Sequence, residues 1–400
     1  VASVTKDIGA VAGHLFSKNR RYKAGILARE AMLRLQPFAG RHAVDADLPP
    51  DPPPETWHQE QGVPIDPAFF NVRTKAATDD HLGEDGLVHT VQDHEIRILY
   101  GAYSYTNEST HRTIFDRHGD RIERLSYARG GKGGPSRLRV AADRTIPGRT
   151  VNLYSNKACS EGNYAHWLLD ALAHLFMIER FHSLDSIDQV LVPRMKHDFQ
   201  WDSLAAFGFT PDRVVELPPL ECLRFECLLA SSAPRGRSSS VAPGWAIDRY
   251  HDVLVAGAKA VPSVAGKRVY ISRRDAPNRK FLNEDELCEV LEKRGYDIVE
   301  LTPLNLDNKI AVFRDAEHLI GQTGAGLTNL MFGTPGAAVM ELVDKRFVDH
   351  LYASLAAYRG VRHSAHFFEN ETPLGRLNSI VARSAIDIPA LEHSLDAAGM

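Results

Sequence analysis

KRVYIS (267–272), EDELCEVLEKRG (284–295), DIVEL (297–301), NKIAVFRDA (308–316), HLIG (318–321), AGLTNLMF (325–332) and AAVMEL (337–342) alternate without interruption. Four are short runs rich in apolar residues, the length of buried strands, and the three of Glu-, Asn- and Ala-opened sequence between them read as helices. Such alternation predicts a parallel sheet with helices on both faces. Ligands of such a sheet bind outside the carboxyl ends of its strands, so the residues just after each strand are the ones to read for chemistry.

Upstream, VNLYS (151–155), NYAHWLLDALAHLFMIERF (163–181) and DQVLVP (188–193) predict a βαβ unit. LVHTV (87–91) and EIRILYGAYSYT (95–106) read as strands, ARGGKGG (128–134) as an open loop, and APRGRSSSVAPG (233–244) as a linker or mobile loop. IDIPALEHSLDAAG (386–399) predicts a helix capped by Asp387 with Pro389 in its first turn. Near the start, residues 14–36 place basic side chains among apolar ones as in an amphipathic helix, for packing on the protein or a partner subunit, or for attachment to an anionic membrane surface. DLPPDPPPE (47–55) is a stiff, polyproline-like linker. The expected organisation is a helical extension and linker over 1–60, an N-terminal domain over 61–245 and a C-terminal domain over 246–400.

The 400 residues suit two domains, and 44% hydrophobic with 24% charged residues is an ordinary globular balance. No run approaches the roughly 20 apolar residues of a membrane span. A formal charge of −4 gives no general attraction to polyanions, which argues against nucleic acid as a partner. Cys159, Cys222, Cys227 and Cys288 lack metal-type pairing and read as reduced, buried thiols. With no secretory apolar stretch at the start, the expected compartment is the cytoplasm, despite sequons at Asn107 and Asn370.

Three strand ends carry candidate chemistry. After KRVYIS come Arg273, Arg274, Arg279 and Lys280, whose guanidinium forks suit the oxygens of a diphosphate; the alternative is pairing with Asp275, Glu284 and Glu286, and Asn283 is expected to cap the next helix. After HLIG, the glycines of GQTGAGLTN (321–329) allow backbone N–H groups to approach an oxyanion at a helix N-terminus, or simply make a tight turn. The stretch lacks the third glycine of a dinucleotide fingerprint and the Gly-Lys-Ser/Thr ending of a P-loop, which disfavours a nicotinamide-dependent oxidoreductase. Near the end of AAVMEL, Glu341 is suited to ribose hydroxyls or to pairing with Lys345 or Arg346. Together they describe a pocket for a ribonucleotide diphosphate. On the helix of 163–181, His166, Asp170 and His174 recur every four residues, so Asp170 is placed to orient His166 as a general base; a structural histidine, or an Asp as the base, are the alternatives.

These residues resemble glycosyltransferase family 61. The likeness rests on Asn163-Tyr-Ala-His166-Trp167-Leu, on Ile271-Ser-Arg273 with Arg279 and Asn283-Glu284, and on Gly324-Ala-Gly326-Leu-Thr-Asn329 with Phe332 and Glu341. The resemblance implies an α/β, GT-B-like fold, with two Rossmann-like domains facing across a cleft. It also implies inverting transfer from a nucleotide sugar to a glycan or glycolipid acceptor, with no metal or other cofactor, as in capsule or lipopolysaccharide assembly. Donor-binding positions are then Asn163, Arg273, Arg279, Thr323, Gly324, Ala325, Gly326, Asn329 and Glu341, with His166 and Asp170 catalytic. Thr323 departs from the family, which often has His there. The one Asp-x-Asp, Asp45-Ala-Asp47, abuts the proline-rich linker rather than a strand end, so no metal site is expected. A non-catalytic subunit binding a nucleotide sugar or a glycan in a polysaccharide assembly complex is the rival function.

Overall fold

The computed structural model describes residues 48–65, 81–82, 84–106, 111–128, 136–138, 141–154, 162–235, 241–276, 279–369 and 384–400. The expected amphipathic helix of 14–36, Asp45-Ala-Asp47, both sequons and Cys159 lie outside these residues. Cys222, Cys227 and Cys288 are buried.

The first sheet is assembled from β1 (Glu55–Val63), β2 (His81–Leu82), β3 (Val88–Tyr100), β4 (Tyr103–Thr106), β5 (His111–Phe115), β6 (Tyr127–Ala128), β7 (Arg144–Asn152), β8 (Gln189–Pro193), β9 (Val214–Leu217) and β10 (Cys222–Ser231). Only β10, β7, β8 and β9, adjacent in that order, are parallel to one another. The remaining pairings are antiparallel, with β10 bridging to β3 and β4. The N-terminal sheet is thus mixed, with its parallel part around the expected βαβ unit.

The βαβ unit is present as β7, helix α1 and β8. Helix α1 runs through Tyr164–His166, a wider π-helical stretch Trp167–Leu172, and Ala173–Glu179. Helix α2 (Asp198–Ala206) joins β8 to β9. Helix α3 (Gly244–Tyr250), prolonged by a π-helical stretch His251–Val255, leads to the second sheet.

That sheet contains β11 (Arg268–Ser272), β12 (Asp297–Glu300), β13 (His318–Gln322), β14 (Ala338–Asp344) and β15 (Arg362–Phe368), all parallel, in the order β12-β11-β13-β14-β15. This is a doubly wound 2-1-3-4-5 order, whose reversal lies between β11 and β13. Helices α4 (Glu284–Lys293), α5 (Leu306–Asp315), α6 (Leu351–Tyr358) and α7 (Ile388–Ala397) and a 3₁₀ helix, Ala325–Phe332, flank it. The alternation read from the sequence is thus realised, extended by β15 and α6. Asp387 caps α7, accepting from Ala390 N at 3.0 Å.

Burial on both faces explains the apolar strands. Val269, Ile271, Leu319 and Val339 face one core, while Tyr270, Ile320, Met340 and Leu342 face another, beneath α4 and α7. The first core continues through Phe313, Leu330 and Tyr250 to Trp167, Leu172 and Val151, so the helices between the two sheets share one apolar interior.

Candidate active site

A cleft of about 670 Å³ opens at the topological switch point. Its walls include Ile271, Ser272, Arg273 and Arg279 after β11, Gln322, Ala325, Gly326 and Asn329 after β13, and Lys309 on α5. Across from these stand Asn163 and Tyr164 at the start of α1, with Lys196, His197 and Phe199 at the start of α2. Tyr164 closes the cleft floor between the two halves: its hydroxyl donates to Asn329 Oδ1 at 2.5 Å, and Asn329 Nδ2 donates to Gly326 O at 2.9 Å.

The arginines of the β11 loop divide. Arg274 turns to Asp285, while Arg273 and Arg279 converge on Gly324. A Cβ at that glycine would stand 2.5 Å from Arg273 Nη1 and 3.6 Å from Arg279 Nη2. A side chain here would displace the Arg273 guanidinium. Glu284 Oε1 accepts from Ser272 Oγ at 2.8 Å, Arg273 N at 2.9 Å and the Tyr270 hydroxyl at 3.2 Å. Asp275 accepts from Thr302 N at 2.8 Å. Burial, and then the charge of Arg279, push Arg273 down to about 10.

Arg279 has φ +58°, a left-handed backbone that L-residues adopt at a cost, and its guanidinium lies 5.4 Å from the Phe347 ring centroid. Its Nε is buried with no hydrogen-bond partner among the described residues, and so is Oε1 of Gln322. Buried polar atoms are nearly always satisfied, so two orphans in one cationic cleft mark a place for a polar ligand. The first turn of the 3₁₀ helix, beginning after Gly324, adds backbone N–H groups that have no acceptor within the helix.

Glu341 and Thr323 lie behind this wall. Glu341 is 0% exposed; it accepts from Thr323 Oγ1 at 2.7 Å and His363 Nε2 at 2.9 Å. Its expected partners Lys345 and Arg346 pair with Glu369 and Asp344 instead. Both carboxylate oxygens being engaged below the surface, the placement gives ribose hydroxyls no access to Glu341. Asn283 likewise departs from its expected role. It makes no side-chain cap to α4, but clasps the backbone of Ile386 with its amide, donating at 2.9 Å and accepting at 3.0 Å.

On α1, Asn163 is the N-cap, accepting from His166 N at 3.2 Å. His166, with its side chain 37% exposed, hydrogen-bonds Asp170 through Nδ1. The π-helical stretch holding Asp170 is a local widening of the kind that recurs at functional sites. Asp170 in turn receives both Nε and Nη2 of Arg235, at 2.7 and 2.8 Å. Burial alone would push the Asp170 carboxyl up, but the Arg235 charge with the bonds from His166 and Arg235 outweighs it and holds the group well below the usual carboxylate range. Nδ1 being turned to this carboxylate, the ring nitrogen suited to take a proton is Nε2. His174, one turn further, is buried and bonded to Ser231 Oγ at 2.6 Å; burial pushes it down to about 3, so it stays neutral.

The sequence reading thus places Asn163, Arg273, Arg279, Ala325, Gly326 and Asn329 in one cleft, with Gly324 under the arginines and His166 a turn beyond its rim. It missed Arg235, Gln322, Lys309 and Tyr164. Among the described residues, no three His, Cys, Asp or Glu side chains gather as metal ligands.

Residues 164–340 match the family model Glycosyltransferase 61. Over 97 residues the chain is 41% identical to an EGF domain-specific O-linked N-acetylglucosamine transferase of Drosophila melanogaster, a stretch covering 24% of this chain and 18% of that protein. The mouse protein of the same name is 34% identical over 102 residues, 24% of this chain and 19% of its own length. The chain therefore spans about a fifth of the length of these curated relatives. The segment that matches the glycosyltransferase 61 model, residues 164–340, carries His166, the glycine turn and the two arginines.

Proposed function

We propose that the chain transfers a sugar from a nucleotide-sugar donor to an acceptor hydroxyl, with inversion and without a metal ion. The observation that carries this reading is the pair of converging arginines, Arg273 and Arg279, at the switch point of a doubly wound sheet, within a family 61 segment. The donor's diphosphate occupies the space before Gly324, between the guanidiniums and the first-turn amides. The acceptor oxygen attacks the anomeric carbon and gives its proton to His166 Nε2. The bond from that carbon to the diphosphate oxygen breaks, and the departing nucleoside diphosphate keeps the electron pair, stabilised by Arg273 and Arg279.

N-acetylglucosamine is the first donor sugar to test, because both relatives are named for it. The acceptor is a glycan or glycolipid hydroxyl in cell-surface polysaccharide assembly. The two sheets act as donor and acceptor sides of a GT-B-like cleft. No helix among the described residues is long and apolar enough to cross a membrane, and a place on the cytoplasmic side, held through residues 14–36, fits this reading. Purified protein given nucleotide sugars and acceptor should release one nucleoside diphosphate per sugar transferred. Binding of nucleotide sugar without transfer or donor hydrolysis under any acceptor would instead support a non-catalytic subunit.

A further inference from the structure

We infer that Arg235 is a positioning residue for the proposed base, acting through Asp170 to keep His166 a neutral imidazole with its lone pair on Nε2; the inference rests on the transferase reading given above. Arg235 stands in a Ser- and Gly-rich stretch that reads as a linker, yet its side chain is 7% exposed and its fork binds both oxygens of Asp170, 65 residues away in sequence. Asp170 Oδ2 is shared: it accepts from Arg235 Nη2 and from His166 Nδ1.

The sharing has two consequences. A buried carboxylate whose charge is otherwise uncompensated raises the basicity of the imidazole it faces and favours the imidazolium, which cannot act as a base. The permanent charge of Arg235 already compensates Asp170, so the ring need not charge. The bidentate fork also fixes the carboxylate plane, and with it the nitrogen that Asp170 addresses. Among the described residues, the charged and titratable groups around Asp170 are His166 and His174 on α1, Arg235 after β10, Tyr250 on α3 and, beyond His174, Arg112 on β5 and His94 on β3. Among these, Arg235 is the cation in direct contact with the carboxylate.

The test is ¹⁵N NMR of the histidine side chains in the full chain, with His166 assigned by its absence in His166→Gln, together with transfer kinetics. At neutral pH the wild-type ring should show a protonated Nδ1 and an unprotonated Nε2. Arg235→Gln should turn it into the doubly protonated imidazolium and move the acid limb of the kcat profile to higher pH. Arg235→Lys, which keeps the charge and so a compensated interior, should leave the ring neutral but lower kcat about tenfold with donor KM unchanged, because one ammonium cannot match the fork. A His166 ring in Arg235→Gln with the wild-type protonation pattern, or a wild-type kcat in Arg235→Lys, overturns the inference. The spectrum decides it even for a protein that transfers nothing, so failure of the transferase reading is separately visible.

Discussion

Replacing Arg279 separates what its charge does from what its backbone does. At φ +58° a residue with a Cβ costs about 1–2 kcal/mol relative to its ordinary helical or extended conformation. Arg279→Gly removes that strain while losing the guanidinium; Arg279→Ala loses the guanidinium and keeps the strain. The glycine variant should therefore be the more stable of the two by about 1 kcal/mol, less a few tenths for the greater chain entropy of unfolded glycine. Nucleotide binding should follow the charge alone. A charge-assisted hydrogen bond contributes roughly 1.5–3 kcal/mol, so both variants should bind UDP about 10- to 150-fold more weakly, at 1.4 kcal/mol per tenfold. Titration calorimetry with UDP, GDP and CMP, alongside thermal melts, reads both quantities. Unchanged affinity for all three nucleotides in either variant would refute the assignment of this loop to the diphosphate.

Gly324→Ala should weaken nucleotide binding by tenfold or more in a folded protein, since its Cβ would stand 2.5 Å from Arg273 Nη1; calorimetry checks this. Tyr164→Phe should cost about 1–2 kcal/mol in denaturant melts, by removing the bond to Asn329 that ties α1 to the 3₁₀ helix. Asp170 is held below its unfolded value, so its contribution to stability is full above the unfolded carboxylate range near pH 3.9 and is lost as pH falls through the lower folded value. Asp170→Asn should accordingly flatten the loss of stability below about pH 4, while removing the carboxylate charge that faces buried Arg235 should cost about 3–5 kcal/mol at neutral pH, both read from urea melts across pH.

The second sheet was legible because its strands are buried on both faces, which writes continuous apolar runs such as Val269 to Ile271 and Leu319 to Ile320 into the sequence. The cationic loop and glycine turn followed, since strand ends locate a ligand once the sheet is known. β15 escaped notice because RHSAHFF lacks such a run; only His366 and Phe368 in it are buried. The mixed first sheet depends on β10 pairing with β3 across more than a hundred residues, a choice no local pattern records. Asn283 has the look of a cap, but a tertiary partner, Ile386, won its amide. Arg235 shows the same limit more sharply: its composition-poor neighbourhood says loop, and only the fold reveals a buried carboxylate waiting within reach. Glu341 was misjudged because register placed it opposite Gly321, inside the sheet, where Thr323 and His363 claim it.

The central claim is sugar transfer from a nucleotide donor held by arginines rather than by a metal. The most direct measurement is mass spectrometry of acceptor glycans incubated with the purified protein, a panel of nucleotide sugars beginning with the N-acetylglucosamine donor, and excess EDTA. The account predicts an acceptor heavier by one sugar residue, with equimolar nucleoside diphosphate released and no product from Arg273→Ala. Product that vanishes in EDTA and returns with Mn²⁺ or Mg²⁺, or undiminished transfer by Arg273→Ala, would contradict it.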